Sequence, residues 1–320
     1  MTTRVAVIGG GQSGEHEVSL ASAEGIARAL DTAKYRPVRL TIGRDGRWSD
    51  ANGAGLGLPH AVTLLQSCAV AIPALHGPRG EDGTLAALLD LAGMPYVGSG
   101  VRAGALAMDK HTTKLLAESV GVATAPGVLL TDPAAYRFSH PVVVKPVAAG
   151  SSQGVSLVTG PTELEPAVSA AFALDDRVLV EDVVVGREID IAVLGRPDGS
   201  RVVAPALEIV TDGLFDSGTK YDGSADFRIP AALRADELAD LETAAVGVFD
   251  ALGCSGVARV DFFLTTAGPV LNEVNTMPGF TEASQVPKMF AAAGVSYADL
   301  LDLLVTDALA SAGRVVPLPA

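Results

Sequence analysis

The sequence predicts a parallel α/β unit followed by an α+β region. Over roughly the first hundred residues, short apolar strands alternate with helical periodicities. Beyond residue 140, short strands follow one another with turn signals between them, which favours antiparallel pairing. Glycine-rich loops at several strand ends mark places where a ligand can approach the backbone.

Residues 5–8 read as a buried strand, followed by a glycine loop and a helix over 18–30. Strands are expected at 37–42 and 68–75, and a helix over 84–91, stopped by Gly93 and Pro95. Residues 96–100 look like a junction. A helix over 110–120 ends at Gly121, with Pro126 beyond. Strands at 141–145, 155–159, 178–183, 188–194 and 202–209 then enclose one helix at 164–173. Residues 211–225 are polar, hold three glycines and lack a period, as an active-site lid would. An amphipathic helix over 236–252, closed by Gly253, precedes a β-hairpin, and a last helix covers 297–311.

Composition narrows the function classes. The 320-residue chain is long enough for two or three domains with their own cores. A hydrophobic content of 48% is that of a soluble globular protein. The net charge of −14 argues against nucleic acid or an anionic membrane as a partner, because both require a basic surface. It leaves room for an anionic nucleotide where a few lysines and arginines converge. Cys68 and Cys254 stand far apart in apolar contexts and read as two buried, reduced thiols. No run approaches 18 uninterrupted apolar residues, and Met-Thr-Thr-Arg leads directly into a strand. A cytoplasmic location is the expectation.

The chemistry concentrates at 259–275. Arg259-Val260-Asp261 and Glu273-Val274-Asn275 lie on two strands joined by the turn-rich 265–268. Side chains at i and i+2 share a face of a strand, so Arg259 and Asp261 point one way, as do Glu273 and Asn275. A short hairpin connection sets Asp261 within about a residue of lying opposite Glu273. Val260, Phe262, Leu264, Val270 and Val274 form the expected core face. Two carboxylates and an amide make an all-oxygen set, which suits Mg²⁺ that keeps waters and phosphate oxygens. The same pattern also fits a surface hairpin whose polar face is only solvated.

Gly9, Gly11 and Gly14 satisfy G-x-G-x-x-G between a strand and a helix. That is the dinucleotide fingerprint, so an NADP-dependent reductase is a rival class. A tight strand-to-helix turn explains the same glycines, and a helix N-terminus can equally hold a small carboxylate or phosphate. Glu15 and Glu17 could then meet a substrate ammonium, with His76 lining the crevice or serving a structural role. Gly150-Ser151-Ser152-Gln153-Gly154 tips a hairpin after Lys145-Pro146, outside the strand-loop-helix context of a Walker loop. It can fold over phosphates, with Lys110 and Lys145 as countercharges, or be a plain surface hairpin. Lys220-Tyr221 sits in the polar 211–225 segment.

Taken in order, these segments resemble the D-alanine–D-alanine ligases of the ATP-grasp superfamily. The resembling pieces are Gly9-Gly10-Gly11 with 13–20, His76-Gly77 with 80–84, 96–100, Met108-Asp109-Lys110, and Val144-Lys145-Pro146 with 150–154. They continue with Lys220-Tyr221, Arg259-Val260-Asp261 and 272–279. The resemblance implies a three-domain ATP-grasp fold. Residues 1–100 would form a Rossmann-like substrate-binding domain with a parallel sheet. Residues 101–184 would form the central subdomain with the phosphate-binding glycine loop, and 185–320 the C-terminal subdomain with metal site and lid. The implied activity joins two D-alanines through an acyl phosphate, with ATP, for peptidoglycan precursor synthesis, in a homodimer.

The same resemblance assigns roles. Asp261, Glu273 and Asn275 would hold two Mg²⁺ ions, with Mn²⁺ as a substitute. Lys110, Lys145, Ser151, Ser152, Gly154 and Lys220 would surround the phosphates, while Glu181 and Glu188 reach the adenine amine and the ribose. Glu15 would hold the first D-alanine's ammonium and, with Ser151 and Tyr221, tie the domains together. Arg259 and the Gly279 N–H would stabilise the oxyanion, Ser284 would meet the second substrate's carboxylate, and Val18 and His76 would complete the substrate wall. The chain departs from the family pattern at Ala148-Ala149, Phe215, Ser217 and Gln285. Those departures raise an alternative: a related carboxylate–amine ligase with another amino-acid acceptor, in antibiotic biosynthesis or resistance.

Overall fold

The computed structural model describes residues 2–210 and 226–312. The first sheet is built from β1 (Thr3–Gly10), β2 (Tyr35–Ile42), β3 (Trp48–Asp50), β4 (Gly55–Leu56) and β5 (Val70–Pro73). Their order is β4-β3-β2-β1-β5. β1 pairs in parallel with β2 and with β5, because α1 (His16–Ala29) and α2 (Leu58–Gln66) supply the crossovers. Val5 to Ile8 are fully buried, as expected of a central parallel strand covered on both faces. α3 (Thr84–Leu91) follows with the bounds the sequence predicts.

α4 (Val101–Met108), α5 (Lys110–Ser119) and β6 (Ala123–Thr124) come next. The sequence reading assigns no element to residues 101–108, between the junction at 96–100 and the helix expected from 110, and the structure forms α4 there. Gly104 stands inside α4 because a Cβ there would fall 2.4 Å from the Glu81 carbonyl oxygen, so close packing outweighs its low helix propensity. A second, antiparallel sheet has the order β7-β10-β8-β9, from β7 (Gly127–Leu130), β8 (Val142–Pro146), β9 (Ser156–Val158) and β10 (Val178–Asp182). α6 (Pro161–Phe172) covers it, with Pro161 at the helix start where a missing N–H costs nothing.

The third sheet contains β11 (Arg187–Gly195), β12 (Arg201–Val203), β13 (Leu207–Val210), β14 (Asp226–Arg228), β15 (Gly256–Thr265) and β16 (Gly268–Asn275), together with β6. Its main path is β14-β13-β11-β15-β16-β6. The single strand expected at 202–209 is split into β12 and β13, with Pro205, which has no N–H to give a ladder, between them. α7 (Ala235–Leu252) covers one face through Leu241, Ala244, Ala245, Val248, Phe249 and Leu252, and Gly253 ends it at φ 73°. α4 and α5 share that core through Ala103, Ala107 and Ala117, so residues 101–119 pack on the third sheet rather than the second.

The opposite face carries α8 (Gln285–Ala292) and α9 (Tyr297–Ala312). Its core merges Leu194, Leu207 and Val257 with Val5, Val7 and Ile72 of the first sheet. One continuous core therefore fixes the first and third sheets relative to each other. Among the described residues no single helix is long and apolar enough to cross a membrane.

Candidate active site

A cavity of about 800 Å³ opens where these sheets meet. The N-cap and first turn of α1 supply Glu15, Glu17 and Val18; the loop after β5 supplies His76 and Glu81; α5 supplies Lys110. The 149–151 segment closes one side, and Arg259, Glu273, Asn275, Gly279, Ser284 and Gln285 form the opposite wall. Loops and helix starts supply most of these residues, while Arg259 and Glu273 project from within β15 and β16.

The β15–β16 hairpin puts Asp261 directly opposite Glu273 and Arg259 opposite Asn275. The register then shifts, because Asn272 is an extra residue on β16. One consequence corrects the sequence reading of the core face. Past the bulge the alternation inverts, so Leu271 is buried at 2% exposure and Val270 is only half-buried.

Arg259 donates from Nε and Nη2 to the two Asp261 oxygens at 2.7 Å each, and from Nη1 to Gln285 Oε1 at 2.5 Å. Burial works against its charge, but Asp261 and Asp190 outweigh burial and hold the guanidinium ionised beyond its ordinary range. Asp190, opposite Asp261 on β11, is 2% exposed. Burial first, and the Asp261 charge second, raise its pKa well above that of a free carboxyl. Asn275 donates from Nδ2 to Asp261 Oδ2 at 3.0 Å, and Lys110 Nζ stands 3.4 Å from Glu273 Oε2.

Oxygen donors suited to a hard cation are thus gathered at one edge of the cavity. Asp261 Oδ1 retains a lone pair beyond its bond to Arg259, whereas Oδ2 accepts from both Arg259 and Asn275. Among the described residues, no group of three His, Cys, Asp or Glu side chains forms a protein-only metal cage.

Glu15 faces this hairpin from the other side. Ser151 Oγ donates to Glu15 Oε1 at 2.5 Å, joining the second sheet's glycine loop to the first sheet. A Cβ on Gly150 or Gly77 would fall 2.3 or 2.7 Å from Glu15 Oε2, so both glycines make room for that carboxylate. Ser151 and Ser152 adopt left-handed backbone angles, φ 51° and 55°, which non-glycine residues hold only under tertiary constraint. Ser152 and Gly154 belong to the same loop but do not line the cavity.

His76 ties three segments together. Its Nδ1 donates to the Met277 carbonyl at 2.7 Å, and its Nε2 accepts from Ser22 Oγ at 3.0 Å. Burial lowers its pKa, so it remains neutral. Glu81 accepts from the backbone N–H of Gly77 at 2.7 Å and of Met277 at 2.9 Å. Burial, followed by the nearby Glu15 charge, pushes its pKa up to about 8. The sequence reading placed Glu81 in a motif without a role; the dense run 80–84 was its only signal.

Lys145, Glu181 and Glu188, like Ser152 and Gly154, are predicted site residues away from the cavity wall. Lys145 and Glu181 are buried together at 2.6 Å, and Lys114 closes on the other Glu181 oxygen. Burial would raise the Glu181 pKa, but the two lysines override it and lower it. Lys114, four residues after Lys110 on the same helix face, went unremarked in the sequence. Glu188 stands on β11, also off the cavity wall. Lys220 and Tyr221, with the expected lid at 211–225, lie outside the described residues.

Ser284 caps the start of α8, and its Oγ accepts from the Thr281 N–H at 3.0 Å. A Cβ on Gly279 would touch Ser284 Oγ at 3.4 Å, so the two are neighbours across the wall.

Comparison with known proteins decides what this arrangement belongs to. Family models for the D-ala D-ala ligase N-terminus match residues 4–61 and 55–99, and the model for the D-ala D-ala ligase C-terminus matches 130–306. This chain is a member of the D-alanine–D-alanine ligase family. It is 42% identical to the D-alanine–D-alanine ligase of Corynebacterium aurimucosum, over 96% of this chain and 98% of that protein. Identity to the Mycolicibacterium smegmatis ligase is also 42%, over 96% of each.

Solved structures agree. The VanG D-Ala:D-Ser ligase from Enterococcus faecalis superposes with a TM-score of 0.83 at 33% identity, covering 96% of this chain and 100% of that one. The ATP complex of the Bacillus anthracis D-alanine–D-alanine ligase gives 0.82 at 29% identity, covering 98% and 99%. Family and fold therefore both stand as expected, and the dinucleotide reading of Gly9, Gly11 and Gly14 falls.

Proposed function

We infer that this chain joins two D-alanines into D-alanyl-D-alanine using ATP, a step that supplies peptidoglycan precursors. The observation that carries the reading is family membership along nearly the whole chain, with Glu15, Ser151, Arg259, Gly279 and Ser284 facing one cavity. A carboxylate oxygen is a poor leaving group, so it must be activated before an amine can displace it. The first D-alanine's carboxylate attacks the γ-phosphorus of ATP, the bond to ADP breaks, and an acyl phosphate forms. The second D-alanine's neutral amine then attacks the acyl carbon, loses a proton, and inorganic phosphate departs.

Each role follows from the chemistry of its residue. Glu15 takes the first substrate's ammonium, with Ser151 fixing its carboxylate. Arg259 has used three of its five N–H donors, and the remaining two, with the Gly279 N–H, serve the tetrahedral oxyanion. One such donor is worth about 2.7–4 kcal/mol. Asp261, Glu273 and Asn275 would hold Mg²⁺, which when bound offsets charge on the phosphate oxygens. Lys110 adds positive charge beside them; Lys145, Ser152, Gly154, Lys220, Glu181 and Glu188 complete the nucleotide site, and Tyr221 joins the Glu15–Ser151 pair. The chain works in the cytoplasm as a homodimer, which fractionation and sedimentation test.

The direct test mixes the protein with ATP, Mg²⁺ and D-alanine and follows ADP and dipeptide. ADP should appear in step with D-alanyl-D-alanine. No ADP above a D-alanine-free control would refute the reading.

A further inference from the structure

The segment Met277-Pro278-Gly279-Phe280 is irregular backbone, yet the residues flanking Gly279 are held at both of their main-chain groups. Met277 donates its N–H to Glu81 at 2.9 Å and accepts at its carbonyl from His76 at 2.7 Å. Phe280 donates its N–H to Ser22 Oγ at 3.2 Å and accepts at its carbonyl from Tyr297 Oη at 2.5 Å. Between them the Gly279 N–H has no hydrogen-bond partner among the described residues, and Gly279 lines the cavity. A glycine has no Cβ to restrict its own dihedrals, so the aim of this N–H depends on the peptides around it.

The hydrogen-bond directions follow from the chemistry of each group. The Met277 carbonyl only accepts, so Nδ1 of the neutral His76 carries the proton and Nε2 accepts. The Ser22 hydroxyl therefore gives its hydrogen to Nε2 and keeps its oxygen for the Phe280 N–H. One chain of bonds thus runs from Phe280 through Ser22 and His76 to Met277, spanning Gly279. Tyr297 closes the far side, with its ring 6.0 Å from that of Phe280. Ser22, on α1, is fully buried, Tyr297 is 8% exposed at the start of α9, and neither lines the cavity. They can act on the reaction only through the backbone they hold. We propose that Ser22 and Tyr297 are positioning residues for the amide-forming step, fixing the Phe280 peptide so that the Gly279 N–H meets the tetrahedral oxyanion. This inference rests on the ligase reading. A donor misplaced by about 1 Å can slow such a step on the order of a hundredfold.

The two half-reactions separate this role from general loosening. Acyl phosphate formation creates no tetrahedral carbon, so it does not need the Gly279 N–H; amine attack does. The full-length chain, Ser22→Ala and Tyr297→Phe are given D-alanine, Mg²⁺ and ATP carrying ¹⁸O in the β,γ-bridge. Reversible phosphoryl transfer leaves that oxygen on ADP, where rotation of the β-phosphate moves it out of the bridge before ATP re-forms. Dipeptide release reports the complete reaction. Ser22→Ala should lower kcat for dipeptide about ten- to a hundredfold, and Tyr297→Phe about three- to tenfold, with the KM for ATP unchanged. Label scrambling should persist, so its ratio to dipeptide rises by the same factor. ADP affinity at the wild-type value shows that a variant is folded. Tyr297→Phe, which loses only a hydroxyl, decides the matter if Ser22→Ala does not fold. Wild-type kcat in a folded variant would overturn the proposal and leave the ligase reading intact. So would scrambling and dipeptide falling by one common factor, the mark of a merely structural role. A wild-type protein that makes no ADP with D-alanine would sink both.

Discussion

Two buried carboxylate groups in this protein are built on opposite charge balances. Glu181 is one acid between two lysines, Lys114 and Lys145, all nearly buried. At the hairpin, Asp190, Asp261 and Glu273 face Arg259 and Lys110 among the described residues. Among the described residues, the first group holds more bases than acids and the second more acids than bases. Burial, followed by the Asp261 charge, raises the Asp190 pKa and so favours its neutral form. The difference separates a place suited to anionic ligand atoms from one suited to a cation, and Lys110 stands between the hairpin and the glycine loop, 3.0 Å from the Ala149 carbonyl.

The comparison can be broken most forcefully at Arg259. Arg259→Met leaves Asp261 and Asp190 without their main countercharge, so chemical denaturation should show a loss of about 3–5 kcal/mol. A stability close to wild type would mean that the hairpin acids are not held by this arginine. Next comes Glu273→Gln, which removes charge from the cation-poor group while keeping its shape. ADP release should fall about a hundred- to a thousand-fold with an unchanged circular dichroism spectrum. Retained turnover would show that the Glu273 charge is not needed.

A smaller effect is expected at Glu81, whose pKa near 8 makes ionisation in the folded state unfavourable. The unfolded chain gives up this proton near 4.5, so the folded protein binds more protons between about 4.5 and 8. Stability should therefore fall as pH rises through that window and level off above it, by on the order of 1 kcal/mol per unit from this group. Glu81→Gln should flatten the slope; an identical pH profile would refute the assignment. The smallest effect belongs to Lys114→Met. Lys145 still pairs Glu181, so a loss of about 1 kcal/mol is expected. A loss as large as that of Arg259→Met would erase the distinction between the two groups.

Much of this was legible in the sequence because it depends on local periodicity. The two-residue repeat placed Arg259 and Asp261 on one face, and the short turn nearly fixed their partners. The bulge at Asn272 was not legible, since nothing in the residue order says which strand carries an extra residue. α8 was missed because Pro287 interrupts an otherwise weak pattern, yet it falls in the first turn, where a missing N–H is harmless. The Arg259–Gln285 bond and the Lys114–Lys145–Glu181 cluster join segments 26 to 67 residues apart. Such contacts come from sheet packing, and no window along the chain contains them.

The central claim is that ATP activates a carboxylate before the amine attacks, and an isotope label tests it. D-alanine carrying ¹⁸O in its carboxylate is supplied with unlabelled ATP and Mg²⁺, and the released phosphate is analysed by mass spectrometry. Transfer of one carboxylate oxygen through the acyl phosphate predicts one ¹⁸O in each phosphate released with dipeptide. Phosphate released with dipeptide but free of the label would contradict the account.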